Sequence, residues 1–101
     1  MPKLFEYFGL IVLFYSSEHD PIHVHGLYRG RESRAELILR DGKVAGIRFV
    51  GVRGRKPLGV RQQRDFRKLE ERFQDDIVQK WVAFFVLHKR VKPELISRRL
   101  P

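Results

Sequence analysis

Two hydrophobic periods run along this chain, and the change from one to the other divides it. From Phe5 to Tyr15 the apolar positions are nearly continuous: Leu10, Val12 and Phe14 lie on one side of an extended backbone, and Ile11, Leu13 and Tyr15 on the other. A strand apolar on both faces belongs in the middle of a sheet or beneath a cover on each side. Ser16 to Pro21 has the composition of a turn. His23 to Tyr28 resumes as a strand with Ile22, Val24 and Tyr28 on one face and His23, His25 and Leu27 on the other. Arg29 to Ser33 reads as a charged turn. Ala35 to Leu39 and Val44 to Val50 form a hairpin across Asp41-Gly42. Parity bears on its turn: aligning Ala35, Leu37 and Leu39 with Ala45, Ile47 and Phe49 requires an odd loop. That predicts a type I turn with Gly42 in a left-handed bulge position.

Gly51 to Gly59 is basic and glycine-rich without periodicity, which predicts the most mobile segment. The period then becomes helical: Phe66, Leu69, Phe73, Ile77, Trp81 and Phe84 recur three or four residues apart, with Val78, Val82 and Phe85 widening the stripe. The stripe is core rather than a stacking platform for bases. It predicts one helix over about 64–91, stopped before Pro93, and a loosely held basic tail over 94–101. The expected fold class is α+β, a small antiparallel four-stranded meander sheet packed by one long C-terminal helix, in a single domain over 1–101. Strands fill about 5–50 and a basic loop about 51–62.

Charge alters this picture because it is lopsided. Residues 1–50 carry seven Lys/Arg against six Asp/Glu, and residues 51–101 carry fourteen against six. Between Arg53 and Lys68, Arg53, Arg55, Lys56, Arg61, Arg64, Arg67 and Lys68 face Asp65 alone. Such charges repel one another and stabilise nothing locally, which favours a polyanion-binding role over a merely solvated face. Arg29 joins them as a candidate nucleic-acid contact. No RNP motif, zinc knuckle or helix-turn-helix pattern accompanies them. The chain has no cysteine, so disulfides and thiolate metal sites are excluded. No apolar run approaches a membrane span, and no signal peptide is legible; the expected location is cytoplasmic, with no membrane partner. The two-faced first strand hints at a homodimer or a further cover.

Candidate chemistry concentrates in His19-Asp20-Pro21-Ile22-His23-Val24-His25, which holds three of the four histidines. Three readings stay open. His23 and His25, at the i, i+2 spacing, reach one ion with His19 joining from the turn, although no carboxylate pattern of a hydrolytic metal site accompanies them. Alternatively, imidazoles titrating near neutrality move protons during RNA backbone cleavage while the basic half holds phosphates. Or the histidines are structural and satisfy local hydrogen bonds.

Phe8-Gly9-Leu10-Ile11-Val12 followed by His19-Asp20-Pro21-Ile22-His23-Val24-His25 resembles the small bacterial domain of unknown function numbered 4160, whose members carry a Phe-Gly-Ile-Val run and a His-x-Pro-x-His-x-His segment. Its closing helix holds a Leu-His pair, which Leu87-His88 looks like. The resemblance covers residues 5–28 and 80–95; members are shorter and less basic between them, so nothing is carried over onto Arg53 to Lys68. It implies that His19, His23, His25 and His88 are all motif positions, and that the protein is encoded beside an antitoxin-like neighbour. The resulting expectation is a toxin-like component of a toxin–antitoxin module, acting on RNA or the ribosome. His19, His23, His25 and His88 would be its metal-independent acid–base or phosphate-contacting groups, with no cofactor. The alternative is a non-enzymatic binding module for nucleic acid or an acidic partner protein, its histidines structural or metal-binding.

Overall fold

The computed structural model describes residues 2–15 and 22–101; the turn expected at Ser16 to Pro21 lies outside them. In chain order the elements are β1 (Lys3–Tyr7), β2 (Leu10–Leu13), β3 (His23–Tyr28), β4 (Arg31–Arg40), β5 (Lys43–Gly51), α1 (Val60–Arg72), α2 (Gln74–Phe85) and β6 (Glu94–Ile96). The strands form one sheet in the order β5-β4-β3-β2-β1-β6, antiparallel throughout except where β6 runs parallel to β1. The α+β class stands. The expected four-stranded antiparallel meander is a six-stranded mixed sheet.

Turn chemistry explains the two additional strands in part. Phe8 and Gly9 both take positive φ, so the run from Phe5 to Tyr15 folds back as a tight hairpin rather than continuing as one strand. Arg29-Gly30 does the same between β3 and β4, so β4 begins at Arg31 instead of after a five-residue turn. Asp41-Gly42 is a third such turn, with both φ positive and Arg40 opposite Lys43. The three-residue loop expected there is not formed. The parity mismatch is real but is resolved inside β5: Ile38 pairs with Gly46 and Leu39 with Val44, so Ala45 is bulged out. The remaining strand, β6, comes from the tail. Glu94 is bridged by Lys80 at 2.8 Å, and the Leu100 N–H donates to the Tyr7 hydroxyl at 2.9 Å. The tail is therefore a docked strand rather than a loose one.

The expected single helix is two. Phe73, at φ −111° and ψ 21°, separates α1 from α2, and Asp75 and Asp76 occupy the first turn of α2, where carboxylates favour a helix start. Helix ends at Phe85 rather than about residue 91, and His88 at φ 54° closes the turn. Both helices cover one face of the sheet, contributing Phe66, Leu69, Ile77 and Trp81 to a core with Leu10, Val12, Val24, Ala35 and Leu37. Phe5 stacks on Phe73 at 5.0 Å, and Phe14 meets Phe84 and Phe85. β2 lies between β3 and β1, the central position its two-sided apolarity called for.

Close packing at Gly26 sets the distance between sheet and α1. A Cβ there would lie 3.0 Å from two Phe66 ring carbons, and Phe66 is fully buried. Gly26→Ala is expected to cost about 1–3 kcal/mol, the usual cost of overpacking a core. Urea unfolding checks this; an unchanged midpoint would mean that α1 shifts without penalty.

Candidate functional site

Alternation along β3 turns Val24 and Gly26 toward the helices and His23 and His25 to the opposite face. Cross-strand register then brings three charged residues of β4 to that same face. His23 pairs with Glu36, His25 with Arg34, and Leu27 with Glu32. The two imidazoles lie edge to face with centroids 5.3 Å apart. They are only 5% and 3% exposed, and Glu32 and Glu36 are 4% and 6% exposed, although among the described residues both helices pack on the other face.

Each histidine has its own carboxylate. The His25 Nδ1 lies 2.9 Å from Glu32 Oε2, and the Tyr15 hydroxyl donates to the same oxygen at 3.2 Å. The Tyr15 ring packs on the His25 edge at 4.4 Å. Glu32 Oε1 is approached by Arg55 Nε at 3.4 Å. A proton on Nδ1 donates to this carboxylate, and the contact fixes the orientation of the His25 ring. His23 faces Glu36, which Arg34 Nη2 reaches at 2.7 Å and Arg48 Nη2 at 2.6 Å. Burial pushes the Glu36 carboxyl up, but the Arg48 hydrogen bond and the charges of Arg34, Arg48 and His23 outweigh it and hold the group below its usual value.

The basic loop after β5 is tied to this site. The Glu32 N–H donates to the Lys56 carbonyl, the Leu58 N–H to Ser33 Oγ, and Arg31 to the Pro57 carbonyl. These bonds and the buried Leu58 side chain hold the segment expected to be the most mobile. They place Arg53, Arg55 and Lys56 at the same end of the sheet as the Arg29-Gly30 turn, where the Arg29 guanidinium sits 5.2 Å above the Tyr28 ring. On α1, Arg61, Arg64 and Lys68 follow one outward stripe at spacings of three and four. Arg67 departs from it, its guanidinium lying 4.5 Å over the Phe49 ring at the edge of the sheet.

Of the four histidines expected to act together, the structure joins two. His19 lies outside the described residues. His88 is exposed on the turn after α2, not on a helix, and no hydrogen bond or ion pair links it to His23 or His25. Among the described residues no group of three or more His, Asp or Glu side chains is arranged to hold a metal ion. Tyr15, which sequence proximity to the cluster marks as a possible assistant, does join the site, and Glu32, Arg34, Glu36 and Arg48 are the site residues that the sequence reading missed. Their signal was the alternation Glu32-x-Arg34-x-Glu36, legible once a two-residue turn at Arg29-Gly30 sets the β3–β4 register.

No helix among the described residues is long and apolar enough to cross a membrane. No curated protein and no solved structure matches this chain. One family model does, over residues 9–82. Its span runs through the basic segment Arg53 to Lys68, which the sequence reading had set outside the resemblance, and ends before Leu87-His88. Because the match takes in most of the chain and contains both histidine–carboxylate pairs, the protein belongs to the family described as domain of unknown function (DUF4160).

Proposed function

We propose that this protein is the toxin-like component of a two-gene bacterial module and acts in the cytoplasm on RNA, free or in the ribosome. The observation that carries the reading is the reach of Arg55 to Glu32, the carboxylate that also holds His25. It ties the basic loop to the histidines, so that phosphate gathered by Arg29, Arg53 and Lys56 comes to the sheet end nearest the imidazoles, while Arg61, Arg64 and Lys68 on α1 extend the charged surface over the other face. In the catalytic form of this reading, Glu32 orients His25, whose Nε2 accepts the proton of a ribose hydroxyl as it attacks the adjacent phosphorus. His23, beside it, returns a proton to the departing oxygen, and the guanidinium of Arg55 stabilises charge on the phosphate. Such proton transfer between imidazoles needs no metal.

One observation favours a second reading, a binding module without chemistry. His23 and His25 are 5% and 3% exposed and engaged by Glu36, Glu32 and Tyr15, as structural histidines are. Purified protein incubated with a structured RNA, with and without EDTA, beside His25→Asn, separates the two. Cleavage that survives EDTA and is lost in the variant is the expected result. RNA bound but uncut in every lane would leave only the binding module. Cleavage abolished by EDTA would replace the imidazole mechanism with a metal-dependent one. Binding itself is expected to weaken with salt, and each phosphate contact removed by Arg61→Ala or Arg64→Ala should reduce the slope of log K against log salt by about 0.7 for a single strand. An unchanged slope in both variants would remove α1 from the interface.

A further inference from the structure

β5 ends the sheet, and no strand pairs with its outer edge among the described residues. Nine residues is long for an edge strand, against a mean of about 5–6. Such edges are usually blunted by a bulge, a proline or an inward charge. Here the bulge at Ala45 and Lys43 protect only the first half. From Ile47 to Gly51 the strand is regular, paired residue for residue with β4 and free of proline.

Beside this edge runs a trough. Two adjoining hollows of about 280 and 300 Å3 share Phe49 and Arg67 and together extend from Val44 to Gly51. The far wall is the row Gln63, Arg67 and Glu71 of α1, spaced four residues apart on one helix face. The floor holds Ile47 and the half-buried Phe49 ring beneath the Arg67 guanidinium. On the opposite face of the same edge lie Lys43 and Arg48, with Arg40 and Arg34 beside them on β4 and Glu36 bonded between Arg34 and Arg48.

We propose that the outer edge of β5 takes up an extended acidic segment of a partner protein as a seventh strand. Its alternate apolar side chains enter the trough over Ile47 and Phe49. Its alternate carboxylates lie on the other face against Lys43 and Arg48, the latter 66% exposed. Main-chain hydrogen bonds supply the pairing, and the two faces supply the selection. Charge decides between this occupant and a second copy of the chain. An antiparallel pairing of β5 with itself would bring Lys43 and Arg48 of both protomers onto one shared face, in a protein of net charge +9. The inference does not rest on the RNA reading, because main-chain pairing along the outer edge needs no histidine; the edge meets the site only at Arg48, which bonds Glu36 opposite His23.

The test uses the full chain and three labelled eight-residue peptides: one alternating glutamate with valine, one identical but N-methylated at every amide, and one with lysine in place of glutamate. The first is expected to bind and to slow amide hydrogen exchange over Ile47 to Gly51. The N-methylated peptide should bind about tenfold more weakly or worse, having the charge without the donors. The lysine peptide should not bind, and Lys43→Glu should weaken the first. Equal affinity of the methylated peptide, or binding that leaves exchange over 47–51 unchanged, would reduce the effect to diffuse attraction and overturn the proposal. Sedimentation of the free protein as a dimer with those amides already protected would assign the edge to a second copy instead.

Discussion

Replacing Glu70 with methionine is expected to stabilise the fold by about 1–3 kcal/mol near pH 7, the cost of a buried polar group that has no partner. Glu70 is fully buried on α1, and neither carboxyl oxygen has a hydrogen-bond partner. Burial alone raises its pKa well above the ordinary value of 4.5. The sign of the pH dependence follows. The folded state holds the proton more tightly than the unfolded chain, so the stability Glu70 allows is fully present below about pH 4.5 and is lost as pH rises through the folded pKa. The gain from Glu70→Met should therefore be smallest near pH 4 and grow toward pH 8. Methionine fills a similar volume with an adaptable chain, so packing should contribute little to the difference. Glu70→Gln isolates the titration, since it keeps a polar group but removes the ionisation. Urea unfolding of the three proteins at several pH values measures this, and a gain of equal size at every pH would show that the Glu70 pKa is the same in the folded and unfolded states.

Glu70 also shows how far the sequence could be read. The helical stripe was legible from Phe66 to Phe84, and Glu70 falls on it, four residues after Phe66 and three before Phe73. A carboxylate there contradicts the period, and that contradiction was available without a structure. The fold class and the central place of Leu10 to Leu13 followed from periodicity, because burial on two faces leaves a direct trace in composition. Strand number did not follow. It depended on Phe8-Gly9 forming a two-residue turn, as the β3–β4 register depended on Arg29-Gly30, and a Phe or an Arg at positive φ is uncommon enough that neither dipeptide announces itself as Asn-Gly would. Missing those turns lost the β3–β4 register, and with it the carboxylates opposite the histidines. β6 escaped for another reason: a three-residue parallel strand is held by contacts such as Leu100 to Tyr7, 93 residues apart, which no local pattern encodes. His23 and His25 were placed on one face correctly because strand alternation needs no register at all.

At Glu36 the expected effect has the opposite sign. Glu36→Gln should destabilise the fold by about 2–3 kcal/mol near neutral pH, less than the about 3–5 kcal/mol of a fully buried pair because Arg34 and Arg48 remain 35% and 66% exposed and regain solvent. The folded-state pKa of Glu36 lies below 4.5, so its contribution is present above the unfolded value and is lost as pH falls through the folded one. The difference between wild type and Glu36→Gln should thus be widest above about pH 5 and narrow in acid. Acidification therefore weakens the fold through Glu36 while relieving it at Glu70, and the two offset each other in the wild type. Removing Glu70 exposes the other limb: Glu70→Met should lose stability in acid more steeply than wild type, and Glu36→Gln less steeply. The double variant should be flatter than Glu70→Met alone. A double variant with the wild-type acid limb would mean that other carboxyls dominate it.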